Sequence, residues 1–407
     1  MFQSFGRKEP TLTRFRSVIF ALTAARTVAN MTRRFAYPFI PAIARGLDAS
    51  VGSVQSILAI SWGMGVFSPV FGILSERFGR KPVMIGVLAV MAVVSLLGAL
   101  VPQLWAFAFV VVAYGVGKMI FDPALQAYVG DRVPFAQRAR AWGAIELSWS
   151  GALFIAAPLT GFLLERAGLQ PVFVALSLFM CAAIALLILL VPGDRPEKST
   201  VHTPAPRRIP VLRVLRQRPL AFAALGYSFC LMGAQEIFFI NYALWMELSF
   251  ELVLASLGIV TIVLGLAETV GELLVSAVGD RFGMHRLAFY GAVVAGVGFA
   301  IIPYFNSSLA LAMVGIFGLF VLLEMAIVAS IGLFTEVLPE ARSVMMSANI
   351  SAMSLGRLFG ALVGGGLYAL TGSFPLIGVA TMALVLVGCG CIWLVRGVVL
   401  QAAPGEA

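Results

Sequence analysis

Apolar stretches of 18 or more residues follow one another along the whole chain, and no other feature constrains the fold as strongly. A backbone inside a bilayer must satisfy its own hydrogen bonds, so a spanning segment is either a helix or a strand of a closed barrel. About 20 helical residues cross the ~30 Å hydrocarbon core. The runs here are too long and too continuous for barrel strands, which alternate apolar and polar residues over about ten positions. Only 12% of the 407 residues are charged, against roughly a quarter in soluble domains. The chain reads as an all-α integral membrane protein.

Twelve spans are expected, at 17–43, 53–74, 82–101, 104–130, 139–164, 171–191, 220–246, 254–278, 287–305, 308–335, 343–369 and 374–396. The charged opening MFQSFGRKEPTLTRFR is unlike a cleaved signal, so the first span is expected to stay in place. The net charge of +9 first suggests a nucleic-acid partner, but its distribution argues against one. With the N-terminus and the even-numbered connections on one side, that side holds 21 of the 28 Lys and Arg, and the other holds Arg45 and Arg166. This is the positive-inside bias, and it predicts a cell membrane protein with both termini in the cytoplasm.

Several chemistries are set aside on residue grounds. Cys181, Cys230, Cys389 and Cys391 all fall within spans, which speaks against a disulfide framework. His202 and His285 lie in loops without metal-ligand spacing, and no nucleophile–His pair is visible, so neither metal nor enzyme activity is expected. The segment GVGK at 115–118 lacks the phosphate-loop pattern, with Val112 where its first glycine belongs and Met119 where Ser or Thr belongs. No cofactor is expected.

The stretch 192–219 is polar, Pro-rich and Arg-rich, and it divides the spans six and six. The expected units are 1–191, a basic cytoplasmic linker at 192–219, and 220–407. A shift of 204 residues lays GDRFGMHR (279–286) over SERFGRKP (75–82), so acid–Arg–Phe–Gly recurs after the second span of each half. DRVPFAQR (131–138) and EVLPEAR (336–342) share acid-x-x-Pro after the fourth span. Gly151, Pro158 and Gly161 face Gly356, Val363 and Gly366 at a shift of 205. Such internal similarity is the mark of a duplicated transporter fold.

GILSERFGRK (72–81) resembles the loop 2–3 signature of the major facilitator superfamily, Gly-x-Leu-(Ala/Ser)-Asp-Arg-x-Gly-Arg-(Arg/Lys), with Glu76 in place of the usual Asp. RRFAYPFIPAIARGLDAS (33–50) with SPVFGILSERFGRKP (68–82), and APLTG (157–161) with Pro158 and Gly161, are similar to the drug:proton antiporter branch. Ala157 stands where that branch usually has glycine. The resemblance implies two pseudo-symmetric six-helix bundles, twelve transmembrane helices in all, that alternate access to a central cavity. It further implies a conformational latch at Gly72, Glu76, Arg77, Gly79 and Arg80, partnered by Asp131 and Arg138, with Asp280 and Arg281 as a degenerate second copy. The plainer reading of these charges is topogenic, because basic residues also hold a loop on the anionic membrane face.

Ionisable side chains inside a bilayer are costly, and they mark pathways or partners. Eleven fall within the spans away from their ends: Arg26, Arg33, Arg34, Lys118, Asp122 and Glu146 in the first half, and Glu236, Glu268, Glu272, Glu324 and Arg357 in the second. One half carries a formal +2 and the other −3. Arg26, Asn30, Arg33 and Tyr37 recur at helical spacing and define one polar face. Arg33 or Arg34 against Glu236 is expected to form either a gate between the halves or a permanent structural pair. Lys118 and Asp122, four residues apart, satisfy each other, and Glu324 is expected opposite Arg357.

A carboxylate taken out of water is held more readily in its neutral form, so it can trade a proton for substrate. Glu236 leads for that role, then Glu324 and Glu146. Asn241 and Tyr242, with Trp62, Phe121, Trp149, Phe238 and Phe239, offer amide and aromatic contacts to a cavity, although aromatics are also ordinary lipid-facing residues. The expected function is proton-coupled export of small amphipathic or cationic compounds by a monomer, a multidrug-type efflux. The alternatives are a carrier of lipids or other zwitterionic or anionic amphiphiles, a sugar exporter and, least favoured, a transport-dead sensor.

Overall fold

In the computed structural model the described residues are 12–67, 77–133, 135–193, 219–338 and 342–402. They form fourteen helices: α1 (Leu12–Arg34), α2 (Ile40–Gly46), α3 (Val51–Gly63), α4 (Arg80–Leu100), α5 (Leu104–Arg132), α6 (Phe135–Ala167), α7 (Leu169–Leu190), α8 (Pro219–Phe250), α9 (Leu254–Val260), α10 (Ile262–Phe282), α11 (Met284–Ile301), α12 (Leu309–Val337), α13 (Arg342–Thr371) and α14 (Phe374–Ala402). Ten helical stretches are long and apolar enough to cross a membrane. The first seven helices pack on one another, the last seven do likewise, and α3 with α13 and α6 with α9 and α10 join the two bundles. The linker expected at 192–219 falls almost wholly outside the described residues.

Three expected spans prove to be interrupted. The first stops at Arg34, runs through a 3-10 turn at Tyr37–Phe39 and resumes as α2. Pro38 and Pro41 sit at the starts of those two pieces, where proline's missing N–H costs least. The second span passes from α3 into a 3-10 turn at Met64–Phe67. The eighth breaks at Thr261, between α9 and α10. Pro123 and Pro158, by contrast, lie within unbroken α5 and α6.

The backbone displays the duplication more sharply than the sequence does. The glycines with positive φ are Gly79 (88°), Gly168 (77°), Gly283 (82°) and Gly372 (61°). Gly79 pairs with Gly283, and Gly168 with Gly372, at a separation of 204 residues. Gly79 and Gly283 each stand immediately before a helix, at turns that residues with a Cβ seldom adopt. Asp48 (49°) and Glu251 (50°), 203 residues apart, are the positive-φ residues other than glycine among the described residues.

Glycines also set how closely helices approach. In α13, a Cβ on Gly356 would lie 2.3 Å from the Phe229 carbonyl oxygen and one on Gly360 2.1 Å from that of Gly233. A Cβ on Gly364 would lie 2.8 Å from the Ile237 backbone. These three glycines, each four residues apart, make a seam along which α8 and α13 touch backbone to backbone, the small-residue packing that membrane helices favour.

Candidate functional site

The charged residues of the spans converge about halfway along the helices, where α1 ends and the chain turns. Arg34, the last residue of α1, donates to Glu268 of α10 through both terminal nitrogens, at 2.6 and 2.7 Å, and to the Trp149 carbonyl at 3.2 Å. Both side chains are buried, and the pair joins the two bundles. Because the helix stops there, Tyr37 swings out of the Arg26–Asn30–Arg33 register and its hydroxyl donates to Glu236 Oε1 at 2.5 Å. Glu236, 0% exposed on α8, also accepts from Arg357 of α13 at 3.1 Å. Arg357 reaches Gln235 Oε1 at 3.4 Å as well. The expected contact of Arg33 or Arg34 with Glu236 is therefore replaced by Tyr37, and that of Glu324 with Arg357 by Glu236.

Two tryptophans knit these groups together. Trp62 Nε1 donates to the Tyr37 hydroxyl. The face of Trp62 lies 4.4 Å from the Arg357 guanidinium and 4.5 Å from that of Arg33. Trp149 stands 6.5 Å from Trp62, with Arg34 over it at 4.5 Å and Arg357 at 5.7 Å. Trp62, Tyr37, Glu236 and Arg357 thus close a ring: indole N–H to phenol, phenol to carboxylate, carboxylate to guanidinium, guanidinium to indole face. Two members come from each bundle.

The remaining charges balance inside the first bundle. Arg26 bonds Glu146 at 2.9 Å and lies 3.6 Å from Asp122, which also takes Lys118. The pairing of Lys118 with Asp122 is as expected. Glu146, expected without a nearby partner, has Arg26, supplied by the parallel packing of α1 on α6. Its side chain is still 48% exposed. Asn30 donates to Ser148 at 3.1 Å. Glu324 on α12 makes no hydrogen bond or ion pair among the described residues; Glu268 and Glu272 are its acidic neighbours. Phe121, Phe238, Phe239, Asn241 and Tyr242 are buried, whereas Trp62 and Trp149 stay partly exposed.

The ends of the molecule differ. At the end bearing residues 47–50, the bundles are tied by Gln55 Nε2 to the Ile240 carbonyl (3.0 Å) and Asn241 Oδ1 (3.2 Å), by Arg45 to Glu247 (2.7 Å), and by the Ala255 N–H to Glu165 (2.8 Å). There a Cβ on Gly161 would sit 2.5 Å from the Leu254 oxygen, and one on Gly258 2.5 Å from that of Ala157. Hydrogen bonds between the bundles thus run from mid-depth to this end. At the opposite end Arg80 bonds Asp131 at 3.4 Å, and Lys81 donates to the Ile188 and Val191 carbonyls, within the first bundle.

Of the latch expected there, Gly72 and Glu76 lie outside the described residues, as do the side chains of Arg138 and Asp280. Arg77 stacks on Phe78 at 5.4 Å, and Arg281 on Phe282 at 5.9 Å, so the two copies share that local arrangement. Sequence reasoning missed Gln55, Gln235, Arg45, Glu165 and Glu247. Gln55 and Gln235 were legible as amides inside apolar runs; the other three sit at span ends, where charge carries no signal.

Comparison with known proteins agrees with this architecture. An uncharacterized MFS-type transporter of Bacillus subtilis, YceJ, is 27% identical over 320 residues, 78% of this chain and 80% of its own. Multidrug resistance protein 2 of the same organism is 23% identical over 88% of this chain and 90% of its own. The fold is similar, at a TM-score of 0.75 and 15% identity, to that of a bacterial homolog of the human lysosomal transporter Spinster in an inward-facing, unoccupied conformation, across 97% of this chain and 99% of that one. The sequence profile of the Major Facilitator Superfamily matches residues 22–247. With that match over more than half its length, two duplicated helical bundles and a charged mid-membrane site between them, the chain belongs to the Major Facilitator Superfamily, and it is a transporter rather than an enzyme.

Proposed function

We propose that the protein is a proton-coupled exporter of small amphipathic compounds, of the multidrug efflux kind, in the plasma membrane with both termini cytoplasmic. The observation that carries this reading is the fully buried Glu236, held by Tyr37 of one bundle and Arg357 of the other. Its negative charge is what binds Arg357, so a proton there weakens the ring at the boundary that must open. Glu324, half-buried beside Glu268 and Glu272 without an ion pair of its own among the described residues, is the second proton site, and the half-exposed Glu146 the third. The latch residues at 77–80 with Asp131 hold the opposite end in the alternate state. The multidrug names among the relatives support the substrate class.

The bundles are tied at the 47–50 end, and Glu146, with a side chain 48% exposed, lies nearer the opposite end of α6 than Trp149 does. This arrangement is an inward-facing state by the positive-inside assignment. A second reading, transport of lipids or other zwitterionic and anionic amphiphiles, draws on Arg33, Arg34 and Arg357 gathered at one level. The test is pH-gradient-driven flux of a lipophilic dye in proteoliposomes, wild type against Glu236→Gln. Flux in the wild type that the variant lacks supports coupling through Glu236; equal flux in both removes Glu236 from that role.

A further inference from the structure

Arg33 is the mid-membrane cation whose charge the described residues leave unanswered. Its side chain is 6% exposed, and its partners are uncharged: the Ser61 carbonyl and hydroxyl, each at 2.9 Å, and the Gly115 carbonyl at 3.3 Å. Its Nε is buried without an acceptor. The two carboxylates in electrostatic reach are Asp122 and Glu236. Asp122 is shared by Lys118 and Arg26, and Glu236 is taken by Tyr37 and Arg357. A buried guanidinium left in this condition is expensive, and its vacant Nε–H edge has the fork geometry that binds carboxylates through two parallel bonds.

The surroundings define the rest of the ligand. Arg33 lies against Trp62, whose ring is partly exposed and whose partner Trp149 stands 6.5 Å away, also partly exposed. Trp62 carries the Arg33 and Arg357 guanidiniums on its ring at 4.5 and 4.4 Å and keeps part of its side chain exposed beside them. A lipophilic cation entering here meets Arg33, whose charge no carboxylate pairs, and like charge repels it. Glu268 and Glu236, the carboxylates beside those arginines, are both engaged.

We propose that Arg33, Trp62 and Trp149 form the recognition subsite for an aromatic carboxylate, with the carboxylate on the unpartnered Arg33 Nε–H and the aromatic body against the exposed parts of the two indoles. The proposal rests on the proposed function, with substrate taken up between the bundles, and it narrows amphipathic compounds to aromatic acids. It needs no covalent step and no proton gradient, so equilibrium binding tests it apart from coupling.

The experiment is saturation binding of radiolabelled 2-naphthoate to the purified full chain in detergent, with tetraphenylphosphonium as the cationic comparison. Wild type binds naphthoate saturably and tetraphenylphosphonium at least tenfold more weakly; Arg33→Gln loses at least tenfold in naphthoate affinity and Arg33→Lys retains part of it. Trp62→Leu and Trp149→Leu, at partly exposed positions, serve if the Arg33 variants fail to elute as folded monodisperse protein, and each lowers affinity at least fivefold. Preference for tetraphenylphosphonium in the wild type overturns the proposal, as does unchanged naphthoate binding in a folded Arg33→Gln protein or, where that protein does not fold, in both tryptophan variants. Saturable naphthoate binding together with equal proton-driven flux in wild type and Glu236→Gln leaves the subsite standing and confines the failure to coupling.

Discussion

Arg34 and Glu268 come from opposite bundles, yet they meet as a two-bond fork of 2.6 and 2.7 Å in the middle of the protein. Their exposures of 4% and 2% place this ion pair away from water on both sides. Removing one member of such a pair strands the other, at a cost of about 3–5 kcal/mol, whereas replacing both by apolar groups is often close to neutral. Glu268→Gln and Arg34→Leu are each expected to lower thermal stability in detergent by that amount. The double replacement Arg34→Leu with Glu268→Leu recovers most of it. A double-mutant cycle on the unfolding midpoint measures this; simple additivity of the two losses contradicts a coupled pair.

Tyr37→Phe removes the one hydroxyl that both accepts from Trp62 and donates to Glu236. An indole N–H and a carboxylate oxygen each lose a partner, and a buried group left so costs about 1–3 kcal/mol. The expected result is a folded protein with proton-driven flux reduced about tenfold and substrate affinity changed by less than threefold. Comparing flux with equilibrium binding separates these; an equal loss in both places the hydroxyl in substrate contact instead.

The contacts at the 47–50 end are predicted to differ in weight. Arg45 is 60% exposed, and its bridge to Glu247 belongs to a class worth about 0–1 kcal/mol. Glu165 accepts from the Ala255 N–H in the first turn of α9, across the boundary between bundles. Loss of such a cap costs about 1 kcal/mol. Glu165→Ala should therefore shift the state of the transporter more than Arg45→Ala does. The readout is labelling of a Gln55→Cys reporter, in a cysteine-free background, by a membrane-impermeant thiol reagent.

The same reporter tests the close approach of α6 to α9. The backbone oxygens of Leu254 and Ala157 would lie 2.5 Å from a Cβ at Gly161 and Gly258 respectively, and backbone cannot step aside as a side chain can. Gly161→Leu or Gly258→Leu is expected to hold this end open and to raise the labelling rate at least fivefold. Overpacking of this kind costs about 1–3 kcal/mol. A labelling rate unchanged from the parent shows that the end stays shut without the close approach.

The sequence carried the class of fold because membrane spans announce themselves by length and by lack of charge. It carried the duplication because Gly79 and Gly283 are fixed by the same turn. It hides the interruption after Arg34, since an apolar run looks the same whether or not its backbone stays helical, and Pro38 and Pro41 lie inside that run. The interruption decides the site. Helical spacing put Tyr37 on the face of Arg33, whereas the turn at 35–39 carries it to Glu236 and leaves Arg34 for Glu268. Periodicity orders residues within a helix; it has nothing to say about partners 199 or 234 positions away.

The glycine seam between α8 and α13 has a mechanical consequence. Glu236 and Arg357 are borne on two helices whose backbones touch at Gly356, Gly360 and Gly364, where α13 puts no side chain between them. The two helices behave as one stiff beam, so a change of charge on Glu236 has little slack to take up within its own bundle. Its displacement is delivered to the other bundle through the phenol of Tyr37, at a joint where the chain has already given up its helix. On the proposed proton coupling, rigidity on one side of the boundary and compliance on the other turn a proton into a stroke.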